Sequence, residues 1–289
     1  MHRCLACLAD FPGPAWTCPN CGHTPAKEGN ILSFAPAAET ASEGYNADDH
    51  HVLDQVQQRS FWFHCRNDLL QDLTRRWFPE ARTVLEIGCG TGYVLSGLRQ
   101  ALPQARFVGS EITAVGLGYA AQRLGPEVSL FQMDARAIPF SGEFDLIAAC
   151  DVLEHLDNDV TALSEIHRAL KPGGGVLLTV PQHPLLWSQT DVLACHVRRY
   201  RRNELAEKCR DTGFNVVADT SFVFSLLPLM LAQRLLAAQK KDYDFKSELS
   251  LPGWLDRLLF VVLDAERRCI KAGARFPVGG SRVVVAIKR

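Results

Sequence analysis

Residues 83–92 read Thr83-Val-Leu-Glu-Ile-Gly88-Cys-Gly90-Thr-Gly92. The first five residues have the aliphatic, β-branched make-up of a buried strand. The glycines behind them let the backbone turn sharply and come close to a ligand. A helical stretch, about Tyr93–Ala101, follows. Such a turn suits a dinucleotide, a phosphate or S-adenosylmethionine (SAM). The spacing here is GxGxG, which departs from the GxGxxG of dinucleotide sites.

Outward from this turn, short Val/Ile/Leu-rich runs alternate with helical ones. Further strands are expected at Arg106–Ile112, Val128–Asp134, Phe144–Asp151 and Gly175–Pro181, with helices near Thr113–Leu124 and Val160–Leu170 between them. That alternation predicts an α/β fold with a parallel sheet covered on both faces. Phe214–Phe222 and Ser281–Lys288 read as a sixth and a seventh strand. The residues between them are too many for a hairpin loop and read as a helical insertion. Acids stand at successive strand ends: Glu86 two residues before Gly88, then Glu111, Asp134 and Asp151. Carboxylates at the C-terminal ends of parallel strands line the crevice where open α/β sheets bind ligands.

This constellation resembles the class I SAM-dependent methyltransferases. Val84–Gly92 is similar to their first motif and Glu111 to their ribose-binding acid. Gln132-Met-Asp134-Ala135, followed by Ile138-Pro-Phe140, looks like the adenine-side motif. Phe144-Asp145-Leu-Ile and Cys150-Asp-Val-Leu-Glu-His155 look like the fourth-strand motif, and Leu170-Lys-Pro-Gly-Gly-Gly175 like the turn before strand five. The resemblance implies a Rossmann-like seven-stranded sheet in the order 3-2-1-4-5-7-6, with strand 7 antiparallel. It implies SAM as cofactor, with Gly88, Cys89, Gly90, Gly92 and Tyr93 against the methionine portion and Glu86 at its amino end. Glu111 and Ile112 would serve the ribose, and Met133, Asp134 and Ala135 the adenine. Cys150, Asp151 and His155 would border the transferable methyl group.

Methyl transfer mostly requires alignment and exclusion of water, and a base only where the acceptor must lose a proton. Candidates follow strand five, in Val180-Pro-Gln-His183 and in His196-Val-Arg-Arg-Tyr200. His183, His196 and Tyr200 are therefore candidate catalytic groups, with His155 a further one; fixing a loop is the competing role. A subset of bacterial methyltransferases resembles this chain in that HxxRRY segment and in Phe61-Trp-Phe-His-Cys-Arg66-Asn67. Quinone-ring O-methyltransferases resemble it around Glu154-His155, where some use a divalent metal. Arg198, Arg199, Arg201 and Arg202 read either as contacts to an anionic acceptor or as a charged helix start.

The N-terminus carries Cys4-Leu-Ala-Cys7 and Cys18-Pro-Asn-Cys21. Two CxxC pairs suit a tetrahedral thiolate site, and a closed set of four ligands assigns Zn²⁺ a structural role. The other six of the 10 Cys are scattered and read as small buried side chains. Ten Cys in 289 residues are too dilute for a disulfide scaffold, which points to a reducing, cytoplasmic compartment. No secretory signal is visible, and the most apolar run, Phe222–Ala238, is interrupted by Ser225, Pro228, Gln233 and Arg234.

With 31 Lys+Arg against 32 Asp+Glu, the net charge of -1 argues against a dedicated nucleic-acid binder. The expected organisation is a zinc ribbon (1–34), a linker and lid helix (35–80, helical from His50 to Phe78), and the SAM-binding core (81–222). A substrate-capping insertion (223–280) and the last core strand (281–289) complete it. The leading expectation is methyl transfer to an O or N atom of a small or lipid-like acceptor, with peripheral membrane contact through 222–238 a further reading. An RNA methyltransferase using the ribbon is the alternative, since 18–34 resembles half the finger of certain rRNA guanine methyltransferases. A non-catalytic SAM-binding adaptor is a third.

Overall fold

The structure is a computed structural model that describes residues 1–29, 31–35, 47–237 and 252–289. Residues 36–46 of the expected linker, and 238–251 of the expected insertion with Lys240 and Lys241, lie outside the described residues.

Strands β1 (His2–Arg3) and β2 (Asp10–Phe11) form one small hairpin, and β3 (Ala26–Glu28) and β4 (Ile31–Ser33) a second. Helices α1 (Ala47–Gln57) and α2 (Phe61–Trp77) lead into β5 (Thr83–Ile87). Then come α3 (Tyr93–Ala101), β6 (Arg106–Glu111), α4 (Ala114–Leu124), β7 (Ser129–Gln132) and β8 (Phe144–Cys150). A 3-10 turn, Leu153–His155, precedes α5 (Asp159–Ala169) and β9 (Leu170–Pro181). A second short turn and α6 (Gln189–Leu193) lead to α7 (Glu204–Asp211) and β10 (Phe214–Phe222). Helices α8 (Leu227–Ala237) and α9 (Gly253–Lys271) precede the final strand, β11 (Ser281–Lys288).

One sheet runs β10-β11-β9-β8-β5-β6-β7-β4-β3. Its seven core strands stand in the expected order, and β11 is antiparallel to both β9 and β10. The sheet goes further than expected, because β4 pairs in parallel with β7, Ser33 opposite Gln132. The ribbon's second hairpin thus covers an edge that would otherwise present unpaired backbone groups.

Alternation along the strands feeds two cores. Val84, Leu146, Leu177 and Val285 pack with Leu69 and Leu73 of α2, Leu95 of α3, Leu117 of α4 and Leu263 of α9. Leu85, Ile147, Leu178 and Val284 pack with Leu163 and Ile166 of α5 and Leu205 of α7. Each fully buried aliphatic side chain contributes about 1.5–3 kcal/mol.

The expected helix from His50 to Phe78 is broken in two. The amides of Arg59 and Ser60 both donate to the Val56 carbonyl, which ends α1, and Ser60 is extended at φ -80° and ψ 128°. The Phe61 amide at the start of α2 donates to Asp256 Oδ1 of α9 at 3.0 Å. A carboxylate from a remote helix thus satisfies one of the four free N–H groups of the helix start, and local periodicity carries no trace of it.

Candidate active site

The candidate site lies at the C-terminal ends of the paired parallel strands β5 and β8, beside which the strand order reverses. Gly88, Gly90 and Gly92 all have left-handed backbone, with φ of 65°, 49° and 75°. A Cβ on Gly88 would come within 2.5 Å of Val152 Cγ2, while one on Gly90 would meet nothing within 4 Å. Gly88 is therefore fixed by packing, and the loop presents bare backbone at Gly90. Cys89 is buried, and Tyr93 opens α3.

Glu86 is 2% exposed, and its Oε2 has no hydrogen-bond partner. Burial pushes its carboxyl well above the usual carboxylate range, against the opposing pull of Arg66. At the end of β6, Glu111 Oε2 accepts from the Gly90 amide at 3.0 Å, and Oε1 accepts from the Ile112 and Thr113 amides at 2.7 and 3.3 Å. The acid thus ties its own turn to the glycine loop. Met133 and Ala135 are buried beyond β7. Between them Asp134 is gripped by Arg136: Nε donates to Oδ1 at 3.0 Å, Nη2 to Oδ2 at 2.7 Å, and the Arg136 amide to Oδ1 at 2.8 Å. Burial opposes ionisation here, but these bonds hold the carboxyl below its ordinary value. An adenine amino group would share Asp134 with this guanidinium, a neighbour that the sequence reading passed over.

At the end of β8, Asp151 is a non-glycine residue at φ 57°. Its Oδ2 lies 2.6 Å from Arg66 Nη2, and its Oδ1 accepts from Thr179 Oγ1 at 2.9 Å. Arg66 is 7% exposed and its guanidinium sits 4.9 Å from the Trp62 ring centroid. Asn67 donates to the Tyr93 carbonyl at 3.3 Å. The Phe61–Asn67 segment therefore works as an anchor: its Arg reaches the crevice, its Asn binds the start of α3, and Phe63 packs in the interior. Cys150 is buried, and burial pushes its thiol up.

The histidines separate. His196 Nδ1 lies 2.9 Å from Asp191 Oδ1, and Arg199 Nε donates to the same oxygen at 2.7 Å. Asp191 is 1% exposed. Burial works against its ionisation, but the bonds from His196 and Arg199 and the Arg199 charge bring it down to about 2. An ionised carboxylate only accepts, so Nδ1 of His196 carries hydrogen, and in the neutral ring Nε2 is the acceptor nitrogen. That Nε2 is 3.9 Å from Oε1 of Glu154, which is fully buried with neither carboxylate oxygen hydrogen-bonded. Burial raises Glu154 well above the carboxylate range. His155 stands edge-on to His196, with ring centroids 4.8 Å apart, and burial, then the His196 charge, lowers it to about 4. Donor atoms of Glu154, His155 and His196 lie within 4.8 Å of one another.

His183 stands apart at φ 64°, its Nε2 buried without a hydrogen-bond partner, and burial lowers its pKa. Tyr200 is fully buried, and its hydroxyl donates to Asp159 Oδ2 at 2.5 Å, so the structure gives it a packing position away from solvent. Two of the four clustered arginines are engaged internally. Arg199 holds Asp191, and Arg198 donates to the carbonyls of Leu156 and Asp157 at 2.9 and 2.7 Å. Arg202 instead lines a cleft of about 280 Å³ beside β10, with Arg210 and Arg275.

In the ribbon, the sulfurs of Cys4, Cys7, Cys18 and Cys21 lie within 4.8 Å of one another. Cys4 and Cys21 are 3.6 Å apart, and Cys7 and Cys18 are 3.7 Å apart. A tetrahedron with metal–sulfur bonds of about 2.3 Å has edges of about 3.8 Å, so the cluster can hold a structural zinc ion. Asn20 donates to Cys7 Sγ at 3.4 Å; this bond, then one from the Ala9 amide, lowers that thiol to about 6, while Cys21, against a bond from the His23 backbone, is raised to about 12 by the neighbouring sulfurs.

Residues 84–174 match a family described as a methyltransferase domain. Trans-aconitate 2-methyltransferase of Azoarcus is 35% identical over 136 residues, covering 47% of this chain and 51% of that protein. Ubiquinone biosynthesis O-methyltransferase of Pseudomonas paraeruginosa is 30% identical over 175 residues, covering 51% of this chain and 72% of that protein. The chain belongs to the class I SAM-dependent methyltransferases. SAM is the cofactor of this family, and the residues present fit it: a buried Glu86 with one oxygen unpartnered, bare backbone at Gly90, and Glu111 at the end of β6. Phosphoethanolamine N-methyltransferase 2 of Haemonchus contortus, solved with SAM, shares the methyltransferase fold at a TM-score of 0.57 and 20% identity, over 84% of this chain and 57% of that one. The chain spans 51, 66, 43 and 42% of the lengths of the first four curated methyltransferases it matches.

Proposed function

We propose that this chain transfers a methyl group from SAM to an oxygen or nitrogen of a small or lipid-like acceptor, with His196 as the base that takes the acceptor's proton. SAM supplies a methyl group on a sulfonium, already an excellent leaving group. What the chain must add is alignment, exclusion of water and, for a hydroxyl, carboxylic acid or ammonium acceptor, a place for the proton. One observation carries the reading: the buried Asp191 carboxylate holds His196 Nδ1, which leaves Nε2 as the nitrogen that can take a proton beside Glu154 and His155, just past the end of β8. An imidazole oriented by a carboxylate in this way is a competent general base. The matched relative from P. paraeruginosa is named for an oxygen acceptor, which supports the oxygen branch.

For the lipid-like branch, the support is apolar surface on the insertion. Phe224, Leu229 and Leu231 are exposed, and Trp254, Leu258 and Val261 form a stripe at helical spacing along α9. We read residues 223–280 as the acceptor cap and 222–238 as the segment that meets an apolar acceptor or a membrane surface. No helix among the described residues is long and apolar enough to cross a membrane. The RNA reading loses support where Arg198 and Arg199 turn inward.

The test is turnover with SAM bearing a labelled methyl group and a panel of carboxylic acids, phenols, amines and total RNA. His196→Ala is expected to lose about 10²–10⁴-fold in turnover while still binding S-adenosylhomocysteine. Full turnover by that variant would remove His196 as the base. Turnover that depends on added Mg²⁺ would assign the Glu154, His155 and His196 donors to a metal. Label in RNA alone would replace the acceptor class.

A further inference from the structure

The ribbon touches the cofactor crevice through an unbroken series of hydrogen bonds. The Arg3 amide donates to the Pro139 carbonyl, and the Ser141 amide to that of Met1, both at 2.9 Å. His2 stacks on Trp16 with centroids 3.7 Å apart, and Trp16 packs edge-on against Phe34, Phe131 and Phe140. The ribbon therefore braces the 133–141 segment, which carries the adenine-side residues. Deeper in, the Phe34 amide donates to the Gln132 carbonyl at 2.8 Å, and Ser33 Oγ donates to Gln132 Oε1 at 2.5 Å. Gln132 Nε2 then donates to the Ile112 carbonyl at 3.0 Å. Ile112 is held through its amide by Glu111, whose other oxygen takes the Gly90 amide. Ser33 is 2% exposed and Gln132 1%.

We propose that the thiolate ribbon is a clamp on the adenine and ribose side of the cofactor pocket, with Ser33 and Gln132 as positioning residues. Occupancy of the Cys4, Cys7, Cys18 and Cys21 site by a tetrahedral divalent ion then sets the affinity for SAM. The four sulfurs are what holds the short β1–β2 hairpin and Trp16 in one unit, because this segment buries only Cys4, Phe11 and Cys18 as a core of its own. A core that small cannot order a chain without a staple. When the ion leaves, the brace on 133–141 and the Ser33–Gln132–Ile112 line loosen together. Side chains that act one step behind the ligand-binding groups tune them in this way in other sites.

The inference rests on the SAM-binding reading, and the experiment separates the two. Calorimetry with S-adenosylhomocysteine is run on the full chain as purified, after treatment with a zinc chelator, and after zinc is restored. It is also run on Ser33→Ala, Ser33→Thr and Gln132→Ala, none of which alters a sulfur ligand. The expected result is a Kd raised about tenfold on chelation and reversed by zinc, with about tenfold in Ser33→Ala and Gln132→Ala, the weight of one buried hydrogen bond. Ser33→Thr keeps the hydroxyl donor and is expected near wild type. In turnover the loss should fall on KM for SAM and spare kcat. Wild-type affinity in the stripped protein and in both alanine variants overturns the clamp while leaving SAM binding intact. Failure of the untreated wild type to bind overturns the cofactor reading, and the clamp with it.

Discussion

Replacing Asp191 by Asn tests the core of the proposed site, because the structure assigns this carboxylate a magnitude. Asp191 is 1% exposed and accepts from His196 Nδ1, Arg199 Nε, the Ser188 amide and Ser188 Oγ, at 2.7–3.1 Å. Together they lower its pKa from 3.8 to about 2 although burial opposes this. The folded value lies below the unfolded one, so the stabilisation is fully present above about pH 4 and is lost as pH falls through about 2. The difference corresponds to roughly 2 kcal/mol at neutral pH. Asp191→Asn should therefore unfold at lower urea, by roughly 2 kcal/mol at pH 7, and that deficit should shrink as both proteins are taken toward pH 3. Urea unfolding followed by circular dichroism at pH 7, 5 and about 2.5 measures it. The variant should also lose turnover more than affinity for S-adenosylhomocysteine, because Asn offers His196 an amide oxygen without the negative charge that stabilises an imidazolium. A deficit below about 0.5 kcal/mol at pH 7, or one that does not shrink between pH 7 and about 2.5, would refute the reasoning.

Gly88→Ala combines a φ of 65° with a contact of 2.5 Å to Val152, so binding of S-adenosylhomocysteine by calorimetry should fall at least tenfold; an unchanged Kd would show that the loop does not seat the cofactor. Burial raises the Glu86 carboxyl and the arriving ammonium of the cofactor should lower it again, so binding should release a proton wherever Glu86 is protonated, and affinity should rise with pH through that range. Calorimetry at pH 6 in two buffers of different ionisation heat reads the proton released, and a Glu86→Gln variant should release none; equal heats for wild type would remove Glu86 from the amino end. Asp256→Ala removes the acceptor at the start of α2 and should cost about 1 kcal/mol in urea unfolding, with no loss if another group takes over the Phe61 amide.

The fold was legible because its signals are local. Strands rich in Val, Ile and Leu, glycines behind the first of them, and helices between are each visible in a window of ten residues, and together they fix a parallel sheet and the end at which ligands bind. What escaped were the long-range pairings outside the seven core strands. Nothing within 1–34 says that Ser33 will lie opposite Gln132, and nothing around Ser60 says that Asp256 will receive the next amide. Periodicity reports which face a residue shows to the interior but does not report its neighbour there.

The same limit explains the uneven reading of the site. The acids Glu86, Glu111 and Asp151 stand at strand ends, so their position follows once the strands are known. Glu154 and Asp191 come from a short turn and a short helix, and their roles exist only after the chain has folded them against His196. Arg198, Arg199, Arg201 and Arg202 show the converse error. As a sequence run they read as one basic surface, yet alternate directions of the backbone send Arg199 to Asp191 and Arg198 to two carbonyls, while Arg202 faces a cleft on the sheet edge. A charge cluster in sequence becomes a charge cluster in space only when its residues share a face. Here they do not, and that is why an arginine-rich segment in a chain of net charge -1 supports the buried Asp191 carboxylate better than it supports a polyanion.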